Sequence, residues 1–268
     1  MNTKKPLLVI KCGGSIINNI KELDILLNDV ATLKKNGFNI VIAHGGGPDI
    51  NELCSKLNIK SEFKNGNRVT SKEILEVTQM ALLGKVNCGL VQKLNMINIK
   101  SIGLSGHDAN LIKATFINKD ELGYVGQVQS INVDLINKLL ELDITPVIAP
   151  IGIDDNGNCY NINADIVAGE VSSAVKAQSL ILLSDIDGYY SDFKDKSSLV
   201  KQLTTGQINQ MLASNTVHGG MIPKLASCEI AVRGGAKSAH IINGNHPGGL
   251  ISVTIGQNPV GTTVIEGV

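Results

Sequence analysis

Pro6-Leu-Leu-Val-Ile-Lys-Cys-Gly-Gly-Ser15 decides the architecture of this chain. A short apolar run stops on two glycines, the pattern of a buried strand that turns directly into a helix. Asn39-Ile-Val-Ile-Ala-His-Gly-Gly-Gly-Pro48 repeats the arrangement. Between the two, Ile20, Leu23, Leu26, Leu27, Val30 and Leu33 keep helical spacing up to Gly37, which is placed to cap a helix before a strand from Phe38 to Ala43. A strand–helix–strand unit is therefore complete by Ala43.

The alternation continues outward. Pro48 stands near the start of a helix whose buried stripe is Ile50, Leu53, Cys54 and Leu57. Thr70-Ser-Lys-Glu73 has the form of a capping box before a long helix to about Met96, which leads to a strand from Ser101 to Leu104. Further strands are predicted at Ile144 to Ala149, Leu180 to Ser184 and Ala239 to Ile242. Helices are predicted near Ala164 to Lys176, Thr205 to Ala213, Ile222 to Val232 and around Pro247. Near-continuous apolar strands alternating with amphipathic helices predict an α/β fold with a mainly parallel sheet covered on both faces. Ala114 to Ser130 alternates more weakly and reads as a β-hairpin excursion from that sheet.

The 268 residues suit one large domain or two packed lobes, and 24 basic residues balance 24 acidic ones. No net positive field and no basic stripe are available to hold nucleic acid. The five cysteines, Cys12, Cys54, Cys88, Cys159 and Cys228, are widely spaced and form no C-x-x-C pair, which speaks against a disulfide framework or structural zinc and for a reducing cytoplasm. The apolar run from Pro6 to Ile10 is too short for a signal-peptide core, and the continuous apolar stretches stop short of a membrane span.

The chemistry gathers at the turns. Neither is a P-loop or a dinucleotide-binding G-x-G-x-x-G. Each is open to two readings, a plain tight turn or a seat where backbone N–H groups meet an anion. Lys11, at the end of an apolar strand, favours the anion, because its ammonium needs a polar partner. Three glycines at 45 to 47 cost conformational freedom that close approach of a ligand would offset. His44 reads as a buried histidine satisfied by backbone or as a base. Arg68 is either a solvated loop arginine or a bidentate clamp for a carboxylate. In Asn161-Ile-Asn-Ala-Asp165 the polar residues share one side of an extended segment, with Asn163 alternatively a helix cap. Ser184, Asp185 and Asp187 follow an apolar strand, where α/β sheets bind ligands, and Lys224 follows Gly219-Gly220 at a helix start.

Taken in order, Lys11-x-Gly-Gly, His44-Gly-Gly-Gly, Asn65-Gly-x-Arg-Val-Thr, Gly123-x-Val-Gly, Asn161-x-Asn-Ala-Asp, Leu183-Ser-Asp and Gly220-Met-Ile-Pro-Lys resemble the amino-acid kinase family, in its branch that phosphorylates N-acetyl-L-glutamate. The resemblance implies a three-layer αβα sandwich forming one domain. An N-terminal lobe, about 1–170, would hold acetylglutamate, and a C-terminal lobe, about 171–268, would hold ATP with Mg2+ carried mainly on its phosphates. It implies a phosphotransferase acting on the side-chain carboxylate in arginine biosynthesis. Lys11, Asp165 and Lys224 take catalytic roles in it, with Asp165 organising the lysines. Gly46, Gly47, Arg68 and Asn161 match substrate-binding positions. Gly13, Gly14, Ser184, Asp185, Ile186, Asp187, Gly188, Thr216, Val217 and His218 match the nucleotide side, and no residue matches a protein-held metal ligand. It further implies a cytoplasmic homodimer joined through the long helix, without nucleic acid or membrane, and insensitive to arginine because only about five residues precede Pro6.

The charges make sense of such a reaction. A carboxylate attacking ATP brings anions together at a cost of about 4 kcal/mol per unit pair at ~4 Å and an effective dielectric near 20, which two lysines and glycine amides can offset. The carboxylate is already nucleophilic and needs no general base. One departure stands out: Gly106-His-Asp-Ala109 occupies the place where the family often has Gly-Lys-Asp-Gly. Two other readings are a kinase for an aminoadipate derivative of lysine biosynthesis and a non-catalytic binding homologue on the same fold.

Overall fold

The computed structural model describes residues 5–64, 66–256 and 259–268. Its centre is an eight-stranded sheet in the order Gln202–Thr204, Thr262–Ile265, Ser238–Asn243, Ser179–Ser184, Leu7–Cys12, Asn39–His44, Thr145–Ile148, Ser101–Leu104. Every neighbouring pair is parallel except Ser238–Asn243 with Thr262–Ile265. The first strand lies in the middle, and the chain builds outward from it on both sides.

Side-chain alternation along these strands creates two cores. Leu7, Val9, Val41, Ala43, Leu180 and Leu182 face one layer, where helices Ala164–Ala174 and Met221–Arg233 pack. Leu8, Ile10, Cys12, Ile40, Ile42, Ile181 and Leu183 face the other, against helices Ile20–Lys35 and Gly249–Thr254 and the end of the long helix. This is the expected three-layer sandwich. Period-two geometry puts Lys11 on the side of Leu7 and Val9, directly under the first of those helix layers.

Side chains cap several helix starts, the one at Asn163 as expected. Asn19, Ser71, Asn163 and Thr204 each accept hydrogen bonds from backbone N–H groups of the turn they open. One cap differs from the expected Thr70 box. Ser71 caps the long helix through Ile74 N, while the Thr70 hydroxyl is engaged elsewhere: it donates to Arg68 O at 2.7 Å and accepts from Asn161 Nδ2 at 3.1 Å. Gly37, with φ of 85°, ends the helix Ile20–Lys35 as expected.

The expected hairpin is part of a four-stranded sheet, ordered Cys159–Asn161, Ile151–Ile153, Ile112–Phe116, Gly126–Ile131. The long helix runs from Lys72 to Met96 with a π-helical segment at Met80–Asn87. Among the described residues it is the one helix whose length and composition would allow a membrane crossing. Half of that stretch is buried in the fold, where Leu82, Leu90 and Leu94 lie in its cores.

Candidate active site

Four neighbouring strands, Asn39–His44, Leu7–Cys12, Ser179–Ser184 and Ser238–Asn243, end side by side, and both glycine turns leave from these ends. Strand connections diverge on either side of Leu7–Cys12, the kind of place where open α/β sheets hold ligands. The two turns touch. A Cβ on Gly14 would lie 2.9 Å from Pro48 Cδ and 3.0 Å from Gly46 Cα, while one on Gly46 would lie 2.5 Å from Leu82 Cδ2. Packing, as well as any ligand, therefore requires glycine at 14 and 46. Gly47 faces open space.

Lys11, Asp165 and Lys224, far apart in sequence, meet here. Lys11 Nζ lies 2.7 Å from Asp165 Oδ1, and Lys224 Nζ donates to Asp165 Oδ2 at 3.0 Å. Asp165 occupies the first turn of its helix, where the dipole favours an anion, and Asn163 Oδ1 caps that turn through Asp165 N and Ile166 N. Burial alone would raise the Asp165 carboxyl, but the two lysines outweigh it and hold the group below the usual carboxylate range. Burial, reinforced by Lys11, lowers the Lys224 ammonium, against the pull of Asp165 and Asp185. Two ammonium groups share one carboxylate in a nearly dry site. The surplus positive charge calls for an anion.

A cleft of about 190 Å³ opens beside this cluster, lined by Gly45, Gly46, Gly47, Arg68, Asn161 and Ala164 among others. All four expected substrate-binding residues thus share one wall system, and Ala164 ties it to Asp165. Arg68 is buried, donates to Asn51 Oδ1 at 2.7 Å and to Ser61 Oγ, and stacks on the Phe63 ring at 4.7 Å. Burial lowers its guanidinium pKa, and among the described residues no carboxylate pairs with it. Asn161 donates to Thr70 Oγ1 at 3.1 Å, which leaves its amide oxygen for the cleft. Asn65 of the same motif lies outside the described residues.

His44 is structural. Its Nδ1–H donates to Gly45 O at 2.9 Å and Nε2 accepts from Asn87 Nδ2 at 2.9 Å, while complete burial pushes its pKa down to about 4. On the other side, Ser184 is buried and donates to the exposed Asp185 at 3.1 Å. A Cβ on Gly13 would lie 3.7 Å from Leu183 O, so this turn and Ser184–Gly188 adjoin. Asp187 accepts from Tyr190 Oη at 2.6 Å and Asn243 at 2.9 Å, which hold its carboxyl below the ordinary range and its loop in place. Ile186 is half-buried, and Gly188 abuts Thr262 with no room for a side chain. Thr216 and His218 are exposed before the helix of Lys224, but the Val217 side chain is in the core, leaving only its backbone for a ligand.

Sequence reasoning did not find Asn51 and Ser61, which aim Arg68, or Asn87, which fixes the His44 tautomer. All three are ordinary polar residues in helices or loops, with no local signal of their role.

A family model for the amino acid kinase family matches residues 6–243. The chain belongs to the amino acid kinase family. Within it, the acetylglutamate kinase of Methanococcus aeolicus is 42% identical over 267 residues, covering 96% of this chain and 91% of the relative. Among solved structures, the Streptococcus mutans UA159 protein smu.665 superposes with a TM-score of 0.83 at 29% identity, over 97% of this chain and 99% of that one. Giardia lamblia carbamate kinase bound to AMP-PNP shares the amino acid kinase fold at a TM-score of 0.73 and 14% identity, with both chains covered completely.

Proposed function

We propose that this enzyme phosphorylates the side-chain carboxylate of N-acetyl-L-glutamate with ATP, yielding N-acetyl-L-glutamyl 5-phosphate and ADP for arginine biosynthesis. One observation carries the reading: a buried arginine with no carboxylate partner among the described residues lines a small cleft beside a buried carboxylate shared by two lysines. The two positive centres suit an acceptor with one carboxylate to anchor and another to react.

Arg68 clamps the α-carboxylate in bidentate fashion, and the Asn161 amide oxygen takes the acetamido N–H. A side-chain carboxylate oxygen attacks the γ-phosphorus in line. The new O–P bond forms as the bond to the ADP oxygen breaks, and the electron pair leaves with ADP. Lys11 and Lys224 neutralise charge on the transferring oxygens, and Asp165 keeps the ammonium groups at a fixed spacing. Gly46 and Gly47 admit the acceptor, while Gly13, Gly14 and the segment from Ser184 to Gly188, with Thr216 to His218, accommodate the nucleotide. The N-terminal lobe, about 1–170, serves the acceptor and the C-terminal lobe, about 171–268, the donor.

Both Asp165 oxygens face ammonium groups. The residues at the transfer point therefore suit Mg2+ brought in on the ATP phosphates, where it offsets phosphate charge, better than a protein-held ion. Exposed Met80 and Met96 leave apolar surface on the long helix, which supports a homodimer joined through that helix. The free thiols fit a cytoplasmic location.

Hydroxylamine trapping tests the reading. With Mg-ATP the wild type forms hydroxamate from N-acetyl-L-glutamate faster than from N-acetyl-L-aminoadipate, and Lys224→Ala forms almost none. No hydroxamate from the wild type overturns it.

A further inference from the structure

Asp49 is a buried carboxylate that the phosphoryl transfer just described does not use. Its side chain is 1% exposed, in the first turn of helix Gly47–Lys56, directly after the acceptor-side glycines. Two groups from separate elements reach it. Asn18 Nδ2, at the end of the short helix that follows Gly13 and Gly14, donates to Asp49 Oδ2 at 2.8 Å. Lys85 Nζ, from the π-helical segment, lies 2.9 Å from Asp49 Oδ1 and 2.8 Å from Glu52 Oε2.

These contacts bind together the elements whose backbones meet at Gly14 and Gly46. The π segment joins the same assembly twice more, since Leu82 and Val86 pack on the Gly46 position and Asn87 holds His44. A π-helical insertion turns side chains out of α-helical register, and such insertions recur at functional sites. Here it allows Lys85 to meet Asp49 while Leu82 and Asn87 face the acceptor turn.

We infer that Asp49, held by Asn18 and Lys85, is a positioning residue that fixes the donor-side glycine turn against the acceptor-side turn. This rests on the kinase reading above and goes beyond it. Neither tie touches a substrate. What they set is the separation of two backbones, one carrying the γ-phosphoryl group and the other admitting the attacking carboxylate. In-line transfer depends steeply on that separation, and a misplacement near 1 Å costs about a hundredfold in rate.

Asn18 is exposed and Lys85 is more than half exposed, so both can be changed without opening the core. Asn18→Ala and Lys85→Met should lower kcat by about tenfold or more while KM for ATP and for N-acetyl-L-glutamate each stay within about twofold. Lys85→Arg should restore most of the rate. Calorimetric titration of acetylglutamate into each variant should give near wild-type affinity. Unchanged kcat in both variants, with or without a lower Tm, makes the ties merely structural and overturns the inference. A rise in KM at constant kcat also overturns it. Wild-type turnover in the same assay separates the two readings: if it is absent the kinase reading fails, and if it is present with unmoved variants only the positioning role fails.

Discussion

Gly169 lies against the backbone of Ser227 where helices Ala164–Ala174 and Met221–Arg233 cross. A Cβ at position 169 would stand 2.7 Å from the Ser227 carbonyl oxygen and 2.9 Å from its Cα. Asp165 lies one turn before Gly169, and Lys224 one turn before Ser227. The closeness of the crossing therefore sets how far Lys224 must reach to meet Asp165.

Gly169→Ala should push these helices apart, because the obstructing atoms are backbone and cannot rotate away. Overpacking of this kind costs about 1–3 kcal/mol, which urea unfolding measures. At temperatures where the variant is folded, kcat should fall while KM for acetylglutamate holds. Wild-type kcat in the variant would show that the crossing has slack.

Arg68→Met should raise KM for acetylglutamate by about tenfold to a hundredfold, the value of a charge-assisted bond of roughly 1.5–3 kcal/mol, with a smaller effect on kcat. Arg68→Lys should recover little, since a single ammonium cannot reproduce the planar fork that also engages Asn51 and Ser61. Steady-state kinetics on both variants decide this.

The scaffold was legible in the sequence because period and punctuation coincide in it. Apolar strands ending on glycine and helices ending at Gly37 lie where the spacing puts them. The last antiparallel strand, Thr262–Ile265, escaped notice because four residues with two threonines carry little periodicity. For the site, Lys11 announced itself as a charge on an apolar strand, but nothing local in Asn18, Asp49 or Lys85 reveals that Asp49 joins Asn18 on one element to Lys85 on another. Such contacts belong to tertiary packing. The glycines at 45 to 47 point to a ligand less directly than their cost implies, because Leu82 already demands one of them.

Ala109 adopts φ 49° and ψ 37°, a left-handed conformation, at the position where the family pattern often has glycine. Ala109→Gly should relieve about 1–2 kcal/mol of strain, partly offset by about 0.5–1 kcal/mol of extra unfolded-state entropy. A net gain of up to about 1.5 kcal/mol should appear as a raised urea midpoint without loss of kcat. A lowered midpoint would contradict the strain.

Burial holds His44 and His240 neutral, each with its pKa down to about 4 against an ordinary 6.5. Between those values the unfolded chain binds more protons than the folded one. Stability is therefore complete above the ordinary histidine pKa and should fall on acidification through that window, at up to roughly 1 kcal/mol per pH unit for each histidine. Urea titrations at pH 7, 6 and 5 measure the slope. His240→Gln, which removes one of the two groups, should flatten it by about half.

Phosphoryl transfer to the acceptor's side-chain carboxylate can be observed directly by 31P NMR with N-acetyl-L-glutamate labelled with 18O in that carboxylate. The wild type with Mg-ATP should produce an acyl-phosphate resonance shifted by one 18O bonded to phosphorus, growing in step with ADP. ATP turnover to inorganic phosphate alone, or an acyl phosphate without the label on phosphorus, would contradict the account.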